Sequence, residues 1–123
     1  MKIITTDKAP AAIGPYSQAV EHNGIIYCSG QIGIDPQSGK LREGLQAQVE
    51  QILVNVSAVL AAAGTSKEHV IKTTIYLTSI ADFQRVNEWY ASFFEVHAPA
   101  RSTVEVSALP KGALVEIEVI ATL

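Results

Sequence analysis

Residues 43–63 hold one periodicity for longer than any other stretch, and they limit the fold more than any other feature. Leu45, Val49, Ile52, Leu53, Val56, Val59, Leu60 and Ala63 recur at spacings of three and four, the pattern of an amphipathic helix. Gln46, Gln48, Glu50, Gln51, Asn55 and Ser57 fill its other face. Gly64 follows where a helix C-terminus favours a left-handed residue. The pattern then switches. Residues 69–77 are rich in β-branched side chains (Val70, Ile71, Thr73, Thr74, Ile75) and predict a strand. A helix with one apolar stripe needs a surface to lie on, and a sheet supplies it.

The remaining elements follow from turns and alternation. Pro10, Gly14 and Pro15 make residues 9–16 a loop. Residues 17–22 and the run Ile25-Ile26-Tyr27-Cys28 flank Asn23-Gly24, a strong hairpin signal. Asp35-Pro36-Gln37-Ser38-Gly39 is a further turn. Ser79 or Asp82 can cap a second helix with the stripe Ile80, Phe83, Val86, Tyr90 and Phe93 or Phe94, ending at His97-Ala98-Pro99. Residues 101–108 alternate, with Thr103, Glu105 and Ser107 on one face and Val104, Val106 and Ala108 on the other. After Pro110-Lys111-Gly112, residues 114–122 alternate again, with Val115, Ile117 and Val119 opposite Glu116 and Glu118. The order is β, β-hairpin, α, β, α, β, β. It predicts a two-layer α+β fold: a mixed sheet of about six strands with two helices on one face.

With 123 residues the chain reads as a single domain, 1–123. Apolar residues make up 48% and charged residues 17%, against a usual charged share of roughly a quarter. That excludes ordinary disorder. It also suggests that the second sheet face is covered by other copies of the chain, because interface cores are depleted in charge. Net charge is −3 and the nine Lys and Arg never cluster, which counts against nucleic acid as a partner. No uninterrupted apolar run has the length of a membrane span and the first eight residues lack a signal-peptide core, so the expectation is a cytoplasmic protein with no membrane partner.

Familiar catalytic motifs are missing: no Gly-x-Ser-x-Gly, no P-loop, no His-Glu-x-x-His. His22, His69 and His97 have no ligand spacing, and one cysteine excludes a Cys-based zinc site, so no metal is expected. Cys28 lies in an apolar strand pattern and reads as an inert buried thiol. Arg101 opens a strand in a charge-poor neighbourhood. It can fork onto a small carboxylate, or pair with Glu105 or Glu116. Glu116 and Glu118 share a strand face and are either solvated or able to polarise a water, and Glu105 could join either arrangement. Tyr16 can reach a ligand or plug a gap. Ser29-Gly30 can admit a ligand to the backbone or form a bulge, and Asn87 interrupts the second helix's stripe.

Together these segments are recognisable. Ala12-Ile13-Gly14-Pro15-Tyr16-Ser17-Gln18-Ala19, Tyr27-Cys28-Ser29-Gly30-Gln31-Ile32-Gly33, Pro99-Ala100-Arg101-Ser102-Thr103-Val104-Glu105-Val106, and Leu109-Pro110-Lys111-Gly112 with Val115-Glu116-Ile117-Glu118 resemble the RidA (YjgF) family, in order, from about residue 3 to the end. The resemblance implies a chorismate-mutase-like fold, a homotrimer with clefts between subunits, and no cofactor. It implies an enamine/imine deaminase that hydrolyses reactive 2-imino acids such as 2-iminobutanoate and 2-iminopropanoate to 2-oxo acids and ammonia. By position, Arg101 matches the arginine that grips the substrate carboxylate and Glu116 the glutamate of the hydrolytic water. Tyr16 matches the tyrosine that closes the cleft from the neighbouring subunit. Ser29, Gly30 and Asn87 match pocket positions, and Thr103 stands where many members carry cysteine. Two other functions share this resemblance: a non-catalytic trimer that senses 2-oxo acids, and an RNA-directed ribonuclease or translation inhibitor. Binding without hydrolysis marks the first, and a salt-sensitive RNA complex marks the second.

Overall fold

The computed structural model describes residues 1–123. Its strands are β1 (Lys2–Ile4), β2 (Ala19–His22), β3 (Ile25–Cys28), β4 (Val70–Leu77), β5 (Ala100–Glu105) and β6 (Val115–Thr122). Its helices are α1 (Leu45–Ala62) and α2 (Phe83–Phe94). One six-stranded sheet runs in the order β1-β2-β3-β6-β4-β5. Only β4 and β5 are parallel, and α2 is the crossover that parallel neighbours require. The α+β class and the mixed sheet are as the periodicity predicts.

The local reasons are legible. Asn23 and Gly24 both take positive φ (52° and 80°), as the tight turn between β2 and β3 demands. Gly64 takes φ 85° just past α1. In β6 burial alternates strictly: Val115, Ile117 and Val119 enter the core while Glu116 and Glu118 face the other way. Ile52, Leu60, Ile75, Leu77 and Ile117 are among the largest fully buried side chains of that core, where α1 and α2 meet the sheet. Truncating any one of them to alanine costs about 2–5 kcal/mol. Helix α1 has the length and mean hydropathy of a membrane span, 18 residues at 1.2, yet 56% of it is buried inside the protein.

Four expectations need correction. Gln48, Gln51 and Asn55 do not lie on a solvated face of α1; they are buried. Their amides serve neighbouring backbone. Gln48 donates to the Arg42 carbonyl (3.0 Å) and accepts the Leu114 N–H (2.9 Å). Gln51 donates to Asn55 (2.9 Å), which donates to the Ile34 carbonyl (2.9 Å). Irregular segments 31–44 and 106–114 bring polar backbone against the helix, and these side chains satisfy it.

Second, β5 ends at Glu105 rather than 108, and its apolar residue Val104 faces away from the core, 43% exposed. Its register on β4, Thr73↔Arg101 and Ile75↔Thr103, turns Arg101 and Thr103 towards the helices instead. Third, neither Ser79 nor Asp82 caps through its side chain. Glu105 Oε1 accepts the Ile80 N–H at 2.8 Å and holds the entry to α2. It therefore joins neither Glu116 nor Glu118, and β4 separates its strand from theirs. Fourth, α2 stops at Phe94, three residues before His97, where Glu95 takes φ 60°.

Candidate functional site

A cavity of about 320 Å³ opens beside the end of β3 and the start of β6. Tyr16, Gly30, Ile32, Lys111 and Glu116 contribute to its wall. That volume suits a ligand of amino-acid size. Glu116 sits on the sheet face opposite the helices, half-buried. Burial, and then the Glu118 charge two residues along, push its carboxyl above the usual carboxylate range.

Gly30 makes the carboxylate's position possible. A Cβ there would lie 2.8 Å from Glu116 Cδ and 3.1 Å from Cγ. The backbone of residue 30 and the carboxylate therefore occupy adjoining space that a side chain would close. Gly30→Ala is expected to displace the carboxylate from this position. The moving atoms are the end of a flexible side chain, so thermal unfolding should change little. A large fall in Tm would instead show a role in the fold.

Tyr16 stands on the loop before β2, half-exposed at the cavity wall. Gln18 fixes that loop, a role the sequence reading missed. It is 4% exposed. Its amide donates to the carbonyls of Thr6 (3.0 Å) and Pro10 (2.8 Å), while Oε1 accepts the Thr6 N–H (2.7 Å). The Ser29 hydroxyl also ties this loop, donating to the Ser17 carbonyl at 2.6 Å. Lys111, read only as part of a turn, places a cation at the cavity wall. Cys28 packs against the core and burial pushes its thiol up to about 12, which suppresses the thiolate at neutral pH.

Arg101, Thr103 and Asn87 form a separate group on the helix side. The Arg101 guanidinium carbon lies 5.0 Å from the centroid of the Tyr90 ring and 5.5 Å from that of Phe83. The guanidinium rests on these rings while the residue stays exposed. Tyr90 is itself pinned by a 2.7 Å hydrogen bond with Thr73. Asn87 lies between Phe83 and Tyr90 on the same stripe of α2, because spacings of four and three share a face. Thr103 Oγ1 is a buried side-chain oxygen without a hydrogen-bond partner.

The two groups do not meet within one chain. Glu116 and Arg101 point to opposite faces of the sheet, and β4 runs between their strands. At roughly 4.8 Å per strand the lateral offset alone is about 10 Å. Tyr16 lines the same cavity as the Glu116 of its own chain.

Fold and cavity define an α+β protein with a pocket of small-molecule size. A family model described as endoribonuclease L-PSP matches residues 6–123. The 2-iminobutanoate/2-iminopropanoate deaminase of Mus musculus is 50% identical over 121 residues, 98% of this chain and 90% of the mouse protein. Reactive Intermediate Deaminase A, chloroplastic, of Arabidopsis thaliana is 49% identical over 99% of this chain, which spans 66% of the plant protein. Among solved structures, E. coli TdcF with bound serine superposes with a TM-score of 0.96 at 43% identity, covering 100% of this chain and 99% of that one. The chain belongs to the RidA (YjgF) family, whose relatives at this similarity include proteins named as deaminases and one, from Lactococcus lactis at 50% identity, named as the putative regulator AldR.

Proposed function

We propose that the protein hydrolyses small 2-imino acids, 2-iminobutanoate and 2-iminopropanoate, to 2-oxo acids and ammonia, in clefts between the subunits of a homotrimer. One observation carries this reading: an exposed guanidinium on one sheet face, and a raised-pKa carboxylate in a cavity on the other. Arg101 of one subunit, laid against the open face of the next, completes that subunit's cavity. Serine bound to the TdcF relative is an amino acid carrying a carboxylate of the same kind.

In this reading Arg101 forks onto the substrate carboxylate and fixes C2 over Glu116. Glu116 takes a proton from water as the water oxygen bonds to C2, and passes that proton to the imine nitrogen as the C=N π bond opens. The carbinolamine then collapses. Glu116 relays the hydroxyl proton to the amine nitrogen as the C–N bond breaks, so that ammonia departs and the C2 carbonyl forms. Tyr16 closes the cavity, Asn87 and the backbone at Thr103 border the carboxylate subsite, and Gly30 keeps room for Glu116. The cytoplasm is the compartment this reading assigns, although the plant relative shows that family members also work in chloroplasts.

The test generates the substrate in situ with a threonine dehydratase while semicarbazide competes for the imine. The native protein is expected to divert imine from semicarbazone to 2-oxobutanoate. Binding of 2-oxobutanoate without any diversion would replace the deaminase with a sensor.

A further inference from the structure

The open sheet face carries a second carboxylate that the proposed mechanism does not use. Glu118 lies two residues from Glu116 on the same face of β6. Tyr76 on β4 is the direct cross-strand partner of Glu116. Its phenol reaches past Glu116 to the diagonal neighbour and donates to Glu118 Oε1 at 2.6 Å. Diagonal pairs lie within reach of aromatic side chains, and a short bond to an ionised acceptor is among the stronger kinds. Tyr76 thus fixes the Glu118 carboxylate beside Glu116.

We propose that Tyr76 and Glu118 are a positioning pair that governs when Glu116 accepts a proton. The proposal rests on the reading of Glu116 as the base. A base poised closer to neutrality takes a proton from water more readily. Glu118 provides a negative charge that opposes ionisation of Glu116. Tyr76 moderates that charge and keeps it in place. The pKa directions agree: burial first and Glu118 second push Glu116 up. The hydrogen bond to Glu118 is the leading cause that pushes the Tyr76 phenol up to about 12, so it remains a donor.

Within the subunit the other charged and titratable groups around the pair are few, and in the proposed trimer the Arg101 guanidinium of the adjoining subunit joins them as an opposing positive charge, present equally in every variant below. Lys111, from the turn before β6, and Tyr16, from the loop before β2, face Glu116 across the cavity. On the far side Lys72 of β4 and Tyr27 and Cys28 of β3 line a smaller hollow with Glu118. The Lys72 ammonium is directed to β5, donating to Ser102 Oγ at 3.1 Å and the Thr73 carbonyl at 3.2 Å.

The experiment follows the Glu116 carboxyl by ¹³C NMR titration of the intact protein labelled with δ-¹³C glutamate. The signal is assigned by its loss in Glu116→Gln. Glu118→Gln and Tyr76→Phe keep side-chain shape, and thermal unfolding confirms the fold of each. Glu118→Gln is expected to lower the Glu116 midpoint by about one unit, as loss of a nearby like charge does. Tyr76→Phe is expected to raise it by about half a unit, because the full Glu118 charge then faces it. The acidic limb of kcat/KM should move in the same opposite senses. An unmoved midpoint in Glu118→Gln, or an unmoved or lowered one in Tyr76→Phe, overturns the proposal. Midpoints that move as expected while the kinetic limb stays fixed leave the pair standing and overturn Glu116 as the base.

Discussion

Arg101→Ala is expected to abolish the proposed deamination and to leave the protein folded. The guanidinium is exposed and rests on Tyr90 and Phe83, so its loss costs only the ring contact, roughly 0.5–1 kcal/mol of stability. In the proposed reaction its role is far larger. Two charge-assisted hydrogen bonds to a carboxylate are worth about 1.5–3 kcal/mol each, which sets an expected loss on the order of 10²- to 10⁴-fold in kcat/KM. Arg101→Lys should recover only part of it, because an ammonium cannot reproduce the planar fork. The semicarbazide-competed assay reads the activity and thermal unfolding reads the fold. A loss of activity matched by unfolding would assign Arg101 to structure instead.

Glu116→Gln is the second large effect. Glutamine keeps the volume beside Gly30 but cannot take a proton, and positioned acid–base groups typically contribute 10²–10⁴-fold. Turnover should fall by that order while 2-oxobutanoate, which needs no proton transfer to bind, is held as before. The native enzyme has a matching pH signature. In the proposed reaction Glu116 works as a base only when ionised, and burial and the Glu118 charge hold its carboxyl above the usual range. Activity should therefore fall as pH drops through that raised value, earlier than an ordinary glutamate would require. In Glu116→Gln the residual rate should lose this limb. Retention of the limb would assign it to another group.

How far the sequence foretells this molecule depends on the range of the interaction. The α1 stripe, the Asn23-Gly24 hairpin and the β6 alternation are local periodicities, and they appear in the structure where the pattern puts them. The burial of Gln48, Gln51 and Asn55 was not legible, because their partners lie in loops far along the chain: Gln48 meets Leu114 and Asn55 meets Ile34. Polar residues on the stripe's border carried only a weak signal. The direction of β5 was hidden for a similar reason, since alternation gives two faces but not which one a neighbour covers. The site suffered most. Insertion of β6 between β3 and β4 separates Glu116 from Arg101, and strand order leaves no trace in local spacing. Ser29 matched a pocket position, yet its hydroxyl serves the Ser17 carbonyl. Gln18 and Tyr76 act through cross-strand or loop contacts that only the assembled sheet reveals.

The most direct test of a site divided between subunits is complementation. Arg101→Ala and Glu116→Gln proteins, each inactive alone, are mixed in equal amounts, unfolded, and refolded together. With random assembly, about a quarter of the clefts join an intact arginine from one chain to an intact glutamate from its neighbour. The account predicts recovery of roughly that share of native activity, absent when the two proteins are mixed without unfolding and subunits do not exchange. Refolded mixed assemblies that remain inactive would contradict it, because a site lying within one chain cannot be restored by a partner.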